Sequence, residues 1–187
     1  VASDSTNGQT GRYGVRLYKQ RFRFASAHFL LFSEERRERL HGHNYQVRCE
    51  LEGGLGADGM VVDFGSVKPH LEAAVGALDH FVLLPAKAPS LQYSESDGEL
   101  ELRVGDGSRY VFPRADVRLL PLENTSTEQL AEWLARRVAR ALLPVRGGKL
   151  SRLRIEVEET GGQCGWFELE GQELLANSTL KLDADGS

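Results

Sequence analysis

The chain has 187 residues, 41% hydrophobic and 27% charged, with a formal net charge of −4; that is long enough for one domain with a real core. The mild acidity argues against broad nucleic-acid or polyanion binding, and no apolar run approaches the ~20 residues that span a bilayer. The polar start, residues 1–12, lacks the apolar region of a signal peptide, and two cysteines, Cys49 and Cys164, make no disulfide framework; the expectation is a soluble, cytoplasmic protein with no membrane partner.

Residues 1–12 and 176–187 are small and polar and read as tails around a domain over 13–175. Segment 14–28 alternates as a strand ending at His28, with Phe22 and Phe24 on one face and Arg21 and Arg23 on the other. Segment 43–52 alternates more cleanly, His43, Tyr45, Val47, Cys49 and Leu51 against Asn44, Gln46, Arg48, Glu50 and Glu52, the pattern of a half-buried antiparallel strand. A glycine-rich turn over 53–59 and a short strand over 60–64 lead into a helix. Ser66 is its expected cap, Pro69 falls in its first turn, and Val67, Leu71, Val75 and Leu78 form its apolar stripe up to Asp79.

Residues 86–120 carry strand fragments separated by Asp97-Gly98 and Gly105-Asp106-Gly107, and read as an inserted hairpin or small sheet. A second helix is predicted over 127–143, burying Leu130, Trp133, Leu134, Val138 and Leu142. Thr125 and Glu128 suit a capping box, and Pro144 with Gly147-Gly148 stop the helix. Strands over 149–159 and 165–171 follow. Two helices on one antiparallel sheet make the class α+β.

Chemistry concentrates around His41-Gly42-His43. Residues at i and i+2 of a strand face the same way, so His41 and His43 can offer imidazole nitrogens to one point, and His28 ends a neighbouring strand. Three imidazoles with a fourth position open describe a catalytic zinc site better than a structural one. An isolated His-x-His pair is more often an ordinary strand edge than a ligand set, and it is the third histidine that tips the balance to metal.

In order, residues 22–28 (PheArgPheAlaSerAlaHis), 40–45 (LeuHisGlyHisAsnTyr), 59–64 (GlyMetValValAspPhe), 78–80 (LeuAspHis), 126–128 (SerThrGlu) and Glu159-Thr160 together resemble the 6-pyruvoyl-tetrahydropterin and 6-carboxy-tetrahydropterin synthase family. The resemblance spans 16–170 apart from the 86–120 insertion. It implies a tunnelling fold, in which two helices cover a four-stranded antiparallel sheet and subunits join edge to edge into a trimer or hexamer with active sites between them. It also implies zinc on His28, His41 and His43, a small-molecule pterin substrate anchored by Glu159, and Asp79 with His80 as the catalytic pair. One carboxylate can accept two parallel N–H bonds from a guanidine-like ring edge. Thr127 is expected near the same ring, though its position equally suits helix capping.

The chain departs from the family where its main branches carry a cysteine, four residues before the first histidine of the pair; here that residue is Arg37. Cys49 lies six residues beyond His43 along the strand, about 20 Å away at the usual rise, and is expected in the core. A variant branch uses Glu in that role and cleaves the side chain to 6-hydroxymethyl-dihydropterin. Glu38, one residue out of register, is the candidate base here. Arg36, Arg37 and Arg39 beside the histidines suit the triphosphate of 7,8-dihydroneopterin triphosphate, the family's parent substrate, or equally a solvated loop balancing three glutamates. The reading is a zinc-dependent pterin lyase; the alternative is a pterin- or purine-binding metalloprotein with altered or lost catalysis.

Overall fold

A computed structural model describes residues 12–146 and 150–176. In chain order the elements are β1 (Tyr13–Leu17), β2 (Arg23–His28), β3 (His41–Gly53), α1 (Phe64–Gly76), β4 (Phe81–Pro85), β5 (Leu91–Ser96), β6 (Glu99–Val104), β7 (Arg109–Pro113), β8 (Val117–Leu120), α2 (Thr127–Arg146), β9 (Leu150–Thr160), β10 (Gln163–Glu170) and α3 (Gly171–Ala176). The four expected antiparallel strands stand in the order β10-β9-β3-β2. Beyond β2 the sheet continues through β4 and β8, both parallel, and β1 pairs with the far half of β3, making seven strands.

The core lies between this sheet and the two long helices. Tyr45, Val47, Cys49 and Leu51 of β3, with Leu153, Ile155 and Val157 of β9, form one buried cluster with Val67 and Leu71 of α1 and Leu130 and Leu134 of α2. Each such side chain contributes about 2 kcal/mol by leaving water. The opposite sheet face is ionic: Arg152 reaches Glu50, Glu52 and Glu168, and Arg48 reaches Glu156 and Glu158.

Several local expectations change. The predicted strand over 14–28 is two strands, because residues 18–22 loop out where β3 presents only Val47 and Arg48 between the paired Gln46 and Cys49. The excursion is stitched back by Val47 N–H donating to the Phe22 carbonyl, while the Gln46 amide donates to the Lys19 and Phe22 carbonyls. No strand forms over 60–64; Asp63 instead caps α1, its carboxylate accepting from Gly65 N–H, and Ser66 donates its hydroxyl to the Asp63 carbonyl. Pro69 consequently falls in the second turn, and α1 ends at Gly76 rather than near Asp79. At α2 the cap is Ser126 rather than Thr125: its carbonyl accepts from Leu130 and its hydroxyl from Gln129 N–H. The helix runs through Pro144 to Arg146, and the Gly147-Gly148 stop lies outside the described residues.

The insertion divides in two. Strands β5, β6 and β7 make a separate antiparallel sheet whose Leu91, Leu100, Leu102 and Val104 form a second core with Phe29, Leu84 and Val117. Residues 117–120, read as part of the insertion, belong to the main sheet as β8.

Gly165 of β10 lets α2 approach the sheet: a Cβ there would stand 2.5 Å from Thr127 Oγ1 and 2.6 Å from Glu128 N. Gly165→Ala is expected to lower stability by about 1–3 kcal/mol, the usual cost of overpacking, read as a reduced denaturant midpoint at unchanged slope.

Candidate functional site

The pairing of β2 with β3 sets His28 directly opposite His41 and Ser26 opposite His43. All three histidines point to the helix-covered face, and their ring centroids are 4.7, 4.9 and 5.5 Å apart. Glu159, at the end of β9, joins them: one ligand atom from each of His28, His41, His43 and Glu159 lies within 4.8 Å of the others. Glu159 Oε1 is 2.6 Å from His43 Nε2 and 3.4 Å from His28 Nε2.

Two of the imidazoles are oriented from behind. His28 Nδ1 lies 3.1 Å from the Thr125 carbonyl and His41 Nδ1 2.7 Å from the Arg39 carbonyl. A carbonyl only accepts, so each Nδ1 carries the proton and each Nε2 turns a lone pair toward the cluster, the arrangement found at metal-ligating histidines. His28 is 1% exposed, and its Nε2 has no hydrogen-bond partner, while that of His43 meets only Glu159. Burial pushes the His28 pKa down, outweighing the Thr125 carbonyl and Glu159, so the ring is held in the neutral form a metal requires. Three imidazoles and a carboxylate fit a divalent transition metal, zinc among them.

Glu38 is brought to this centre. Its Oε2 lies 3.9 Å from His41 Nε2 and accepts from Leu30 N–H at 3.3 Å. Arg37 is turned the other way: Nε donates to Asp106, NH1 to the Glu38 carbonyl and NH2 to the Ser108 hydroxyl, with the guanidinium against Phe29 and Tyr110. The donors expected to meet a phosphate are engaged with the protein itself. Arg36 lies over the Phe32 ring.

Asp79 and His80 form a pair, His80 Nδ1 lying 2.8 Å from Asp79 Oδ2, while Asp79 Oδ1 accepts from Ala25 N–H. His80 has φ +62°, a left-handed conformation that a histidine adopts at some cost, and its N–H donates to the Ala25 carbonyl. Its ring is exposed, over a groove lined by Ala25, Ser26, Ala27, His43 and Asn44. Thr127 starts α2 beside Gly165, with its hydroxyl 3.4 Å from Glu128 Oε2.

Neither cysteine offers a thiolate. Cys49 is fully buried, its thiol pushed up to about 12 by desolvation, and Cys164 is also raised, first by desolvation and then by Glu156. Two further groups had no sequence signal of their own. Thr125 supplies the carbonyl behind His28, a backbone role blind to side-chain identity. Tyr45 is fully buried with its hydroxyl unpartnered, its ring 5.6 Å from that of His43; it reads as one more core position in the β3 alternation.

Residues 17–170 match the family model described as 6-pyruvoyl tetrahydropterin synthase. The chain belongs to this family. A putative 6-carboxy-5,6,7,8-tetrahydropterin synthase of Pyrococcus abyssi is 34% identical over 165 residues, 88% of this chain and 90% of the relative. Its counterpart in Pyrococcus horikoshii is 31% identical over 137 residues, 73% of this chain and 79% of the relative. Among solved structures, the 6-pyruvoyl tetrahydropterin synthase of Plasmodium vivax superposes with a TM-score of 0.82 at 28% identity, covering 86% of this chain and 99% of that one. A form of that enzyme in which a glutamate described as catalytic is replaced by cysteine gives 0.82 at 27% identity over the same shares. The family match extends across the 86–120 segment.

Zinc added to metal-free protein is expected to bind at one equivalent and raise Tm, with His28→Ala or His41→Ala weakening binding by about 100-fold or more, beyond the usual loss from outer-shell changes; calorimetric titration reads both. Burial alone would raise the Asp79 pKa, but the Ala25 N–H and His80 outweigh it and hold the carboxyl below the ordinary aspartate range. Its contribution to stability is therefore present above that range and lost as pH falls through the lowered pKa. Asp79→Asn should flatten the acid limb of the stability–pH profile, followed by denaturant unfolding.

Proposed function

We propose that this protein is a zinc-dependent lyase acting on the C6 side chain of 7,8-dihydroneopterin triphosphate or a closely related pterin. The observation that carries the reading is the placing of a carboxylate, Glu38, 3.9 Å from the Nε2 of His41 in a cluster of three histidines, two of them tautomer-fixed. His28, His41 and His43 would hold the metal, with Glu159 beside it. A divalent ion bound there supplies Lewis acidity that lowers the pKa of side-chain hydroxyls.

The protein's own groups do the rest. Glu38, anchored by Leu30 N–H, is the base that takes the hydroxyl or carbon proton of the side chain. Glu159, on the same edge of the site, can also turn toward the pterin ring and accept its paired N–H donors. Asp79 holds the Nδ1 proton of His80 and leaves Nε2 free at the surface to give or receive a proton. With its ring exposed, His80 would serve a site completed by a second copy of the chain, consistent with a homo-oligomer.

A carboxylate rather than a thiolate at the base position favours carbon–carbon cleavage within this class. Glu38 would remove the C2′ hydroxyl proton, the C1′–C2′ bond would break as that oxygen becomes an aldehyde, and the electron pair would pass into the pterin and be reprotonated at C1′. The products would be 6-hydroxymethyl-dihydropterin and glycolaldehyde triphosphate. The glutamate described as catalytic in the Plasmodium vivax enzyme supports this choice, whereas the archaeal relatives' names point to a 6-carboxy product.

Incubation of zinc-loaded protein with 7,8-dihydroneopterin triphosphate, followed by mass spectrometry, separates the outcomes. Glycolaldehyde triphosphate marks cleavage, acetaldehyde with tripolyphosphate marks carboxy-pterin formation, and unchanged substrate rejects the lyase reading in favour of a binding protein. Glu38→Gln is expected to lower kcat by about 10²–10⁴, the usual worth of a general base, while Cys164→Ser leaves it unchanged. Full activity in Glu38→Gln removes the assignment of the base.

A further inference from the structure

A base carried on a loop works only if the loop is held to within tenths of an ångström of the productive geometry. Glu38 sits at the foot of a short hairpin joining β2 to β3, in which Glu38 N–H donates to the Leu30 carbonyl and Phe32 and Ser33 N–H both donate to the Arg36 carbonyl. Few contacts internal to so short a loop restrain it, and its tip residues Phe32 to Arg36 are exposed. Asn124 holds its first arm at Leu31, and what grips the arm that carries Glu38 comes from the insertion. Asp106, in the turn between β6 and β7, accepts from Ser108 N–H with one carboxylate oxygen and from Arg37 Nε with the other. Arg37 completes the link, NH2 donating to Ser108 and NH1 to the carbonyl of Glu38 itself.

Two other features show that the fit is close. The Arg37 guanidinium lies 5.5 Å from the Phe29 ring centroid and 5.2 Å from that of Tyr110, so the flat ion rests against both the loop's own base and β7. Gly105, one residue before Asp106, packs so tightly on the loop that a Cβ would stand 2.3 Å from the Glu34 carbonyl oxygen. A surface loop merely passing the insertion would need neither a half-buried guanidinium with all three nitrogens engaged nor a glycine at the contact.

We propose that the inserted β5–β6–β7 sheet is a positioning device for the catalytic base: its β6–β7 turn, acting through Arg37, holds Glu38 at the histidine cluster. Arg37 is thus a positioning residue that touches neither metal nor substrate. The inference rests on Glu38 being the base, and its test separates the two ideas.

The double variant Asp106→Ala/Ser108→Ala removes the grip at an exposed turn, so it keeps the experiment intact should Arg37→Met fail to fold. Two measurements are made on the full chain. Hydrogen exchange of amides 30–40 should accelerate about tenfold or more in the double variant, while amides of β3 and β9 keep their protection. In the zinc-loaded enzyme kcat should fall about 10- to 100-fold, the scale of an ångström-level misplacement, with KM unchanged; in a Glu38→Gln background the same double change should have no further effect on kcat. Unchanged exchange over 30–40 overturns the proposal, as does an equal kcat loss in both backgrounds. If the unaltered protein turns over no pterin, the lyase reading falls, and the exchange measurement alone decides whether the insertion holds the loop.

Discussion

The register of β2 against β3 is the constraint on which the site depends. His28 stands opposite His41, and the face that carries Phe24 and Tyr45 in the core carries the histidines a few residues later. A slip of one residue would send a strand's entire set to the other face, breaking the core and scattering the imidazoles together. The stacked Phe24 and Tyr45 rings, 4.6 Å between centroids, and the Gln46 bonds that close the 18–22 excursion lock the alignment. Folding and assembly of the histidine cluster are thus one event along these strands.

Burial of His28 ties α2 to the same event. A buried imidazole nitrogen without a partner costs about 1–3 kcal/mol, and a bound ion at Nε2 would offset that cost. Its Nδ1 is already served by Thr125, the residue before the α2 cap. That carbonyl is held in turn by neighbours: Asn124 pairs with both backbone groups of Leu31, and Gln129 accepts from the N–H groups of Glu123 and Asn124. The helix start therefore aims the imidazole while it packs on β10 at Gly165.

Much of this was legible in the sequence because it follows side-chain periodicity. The alternation of residues 43–52, the stripe of α2 and the turns at Asp97-Gly98 and Gly105-Asp106-Gly107 all correspond to observed elements. The three histidines come together because the same alternation, carried to the strand ends, puts them on one face. What periodicity could not reveal was β4, a run of five residues from Phe81 to Pro85 with no alternation, as befits a strand between parallel neighbours. Capping by Asp63 and Ser126 was missed because several residues near each helix start could serve, and only local backbone geometry selects among them. Glu159 meeting the histidines depends on the pairing of β9 with β3, a contact more than a hundred residues apart in the chain.

The arginine at the position where other branches of the family have cysteine is best understood together with its neighbour. Around the bridge between Leu31 and Arg37 the chain is extended, so consecutive side chains leave it in opposite directions. If residue 37 points to the insertion, residue 38 must point to the histidines. The Asp106–Ser108 turn and the Phe29 and Tyr110 rings offer a guanidinium a complete set of partners, which a thiol at residue 37 could not use. The one-residue displacement of the acid is then a consequence of having the insertion: the small sheet claims residue 37 as its anchor, and strand geometry turns Glu38 to the histidine cluster.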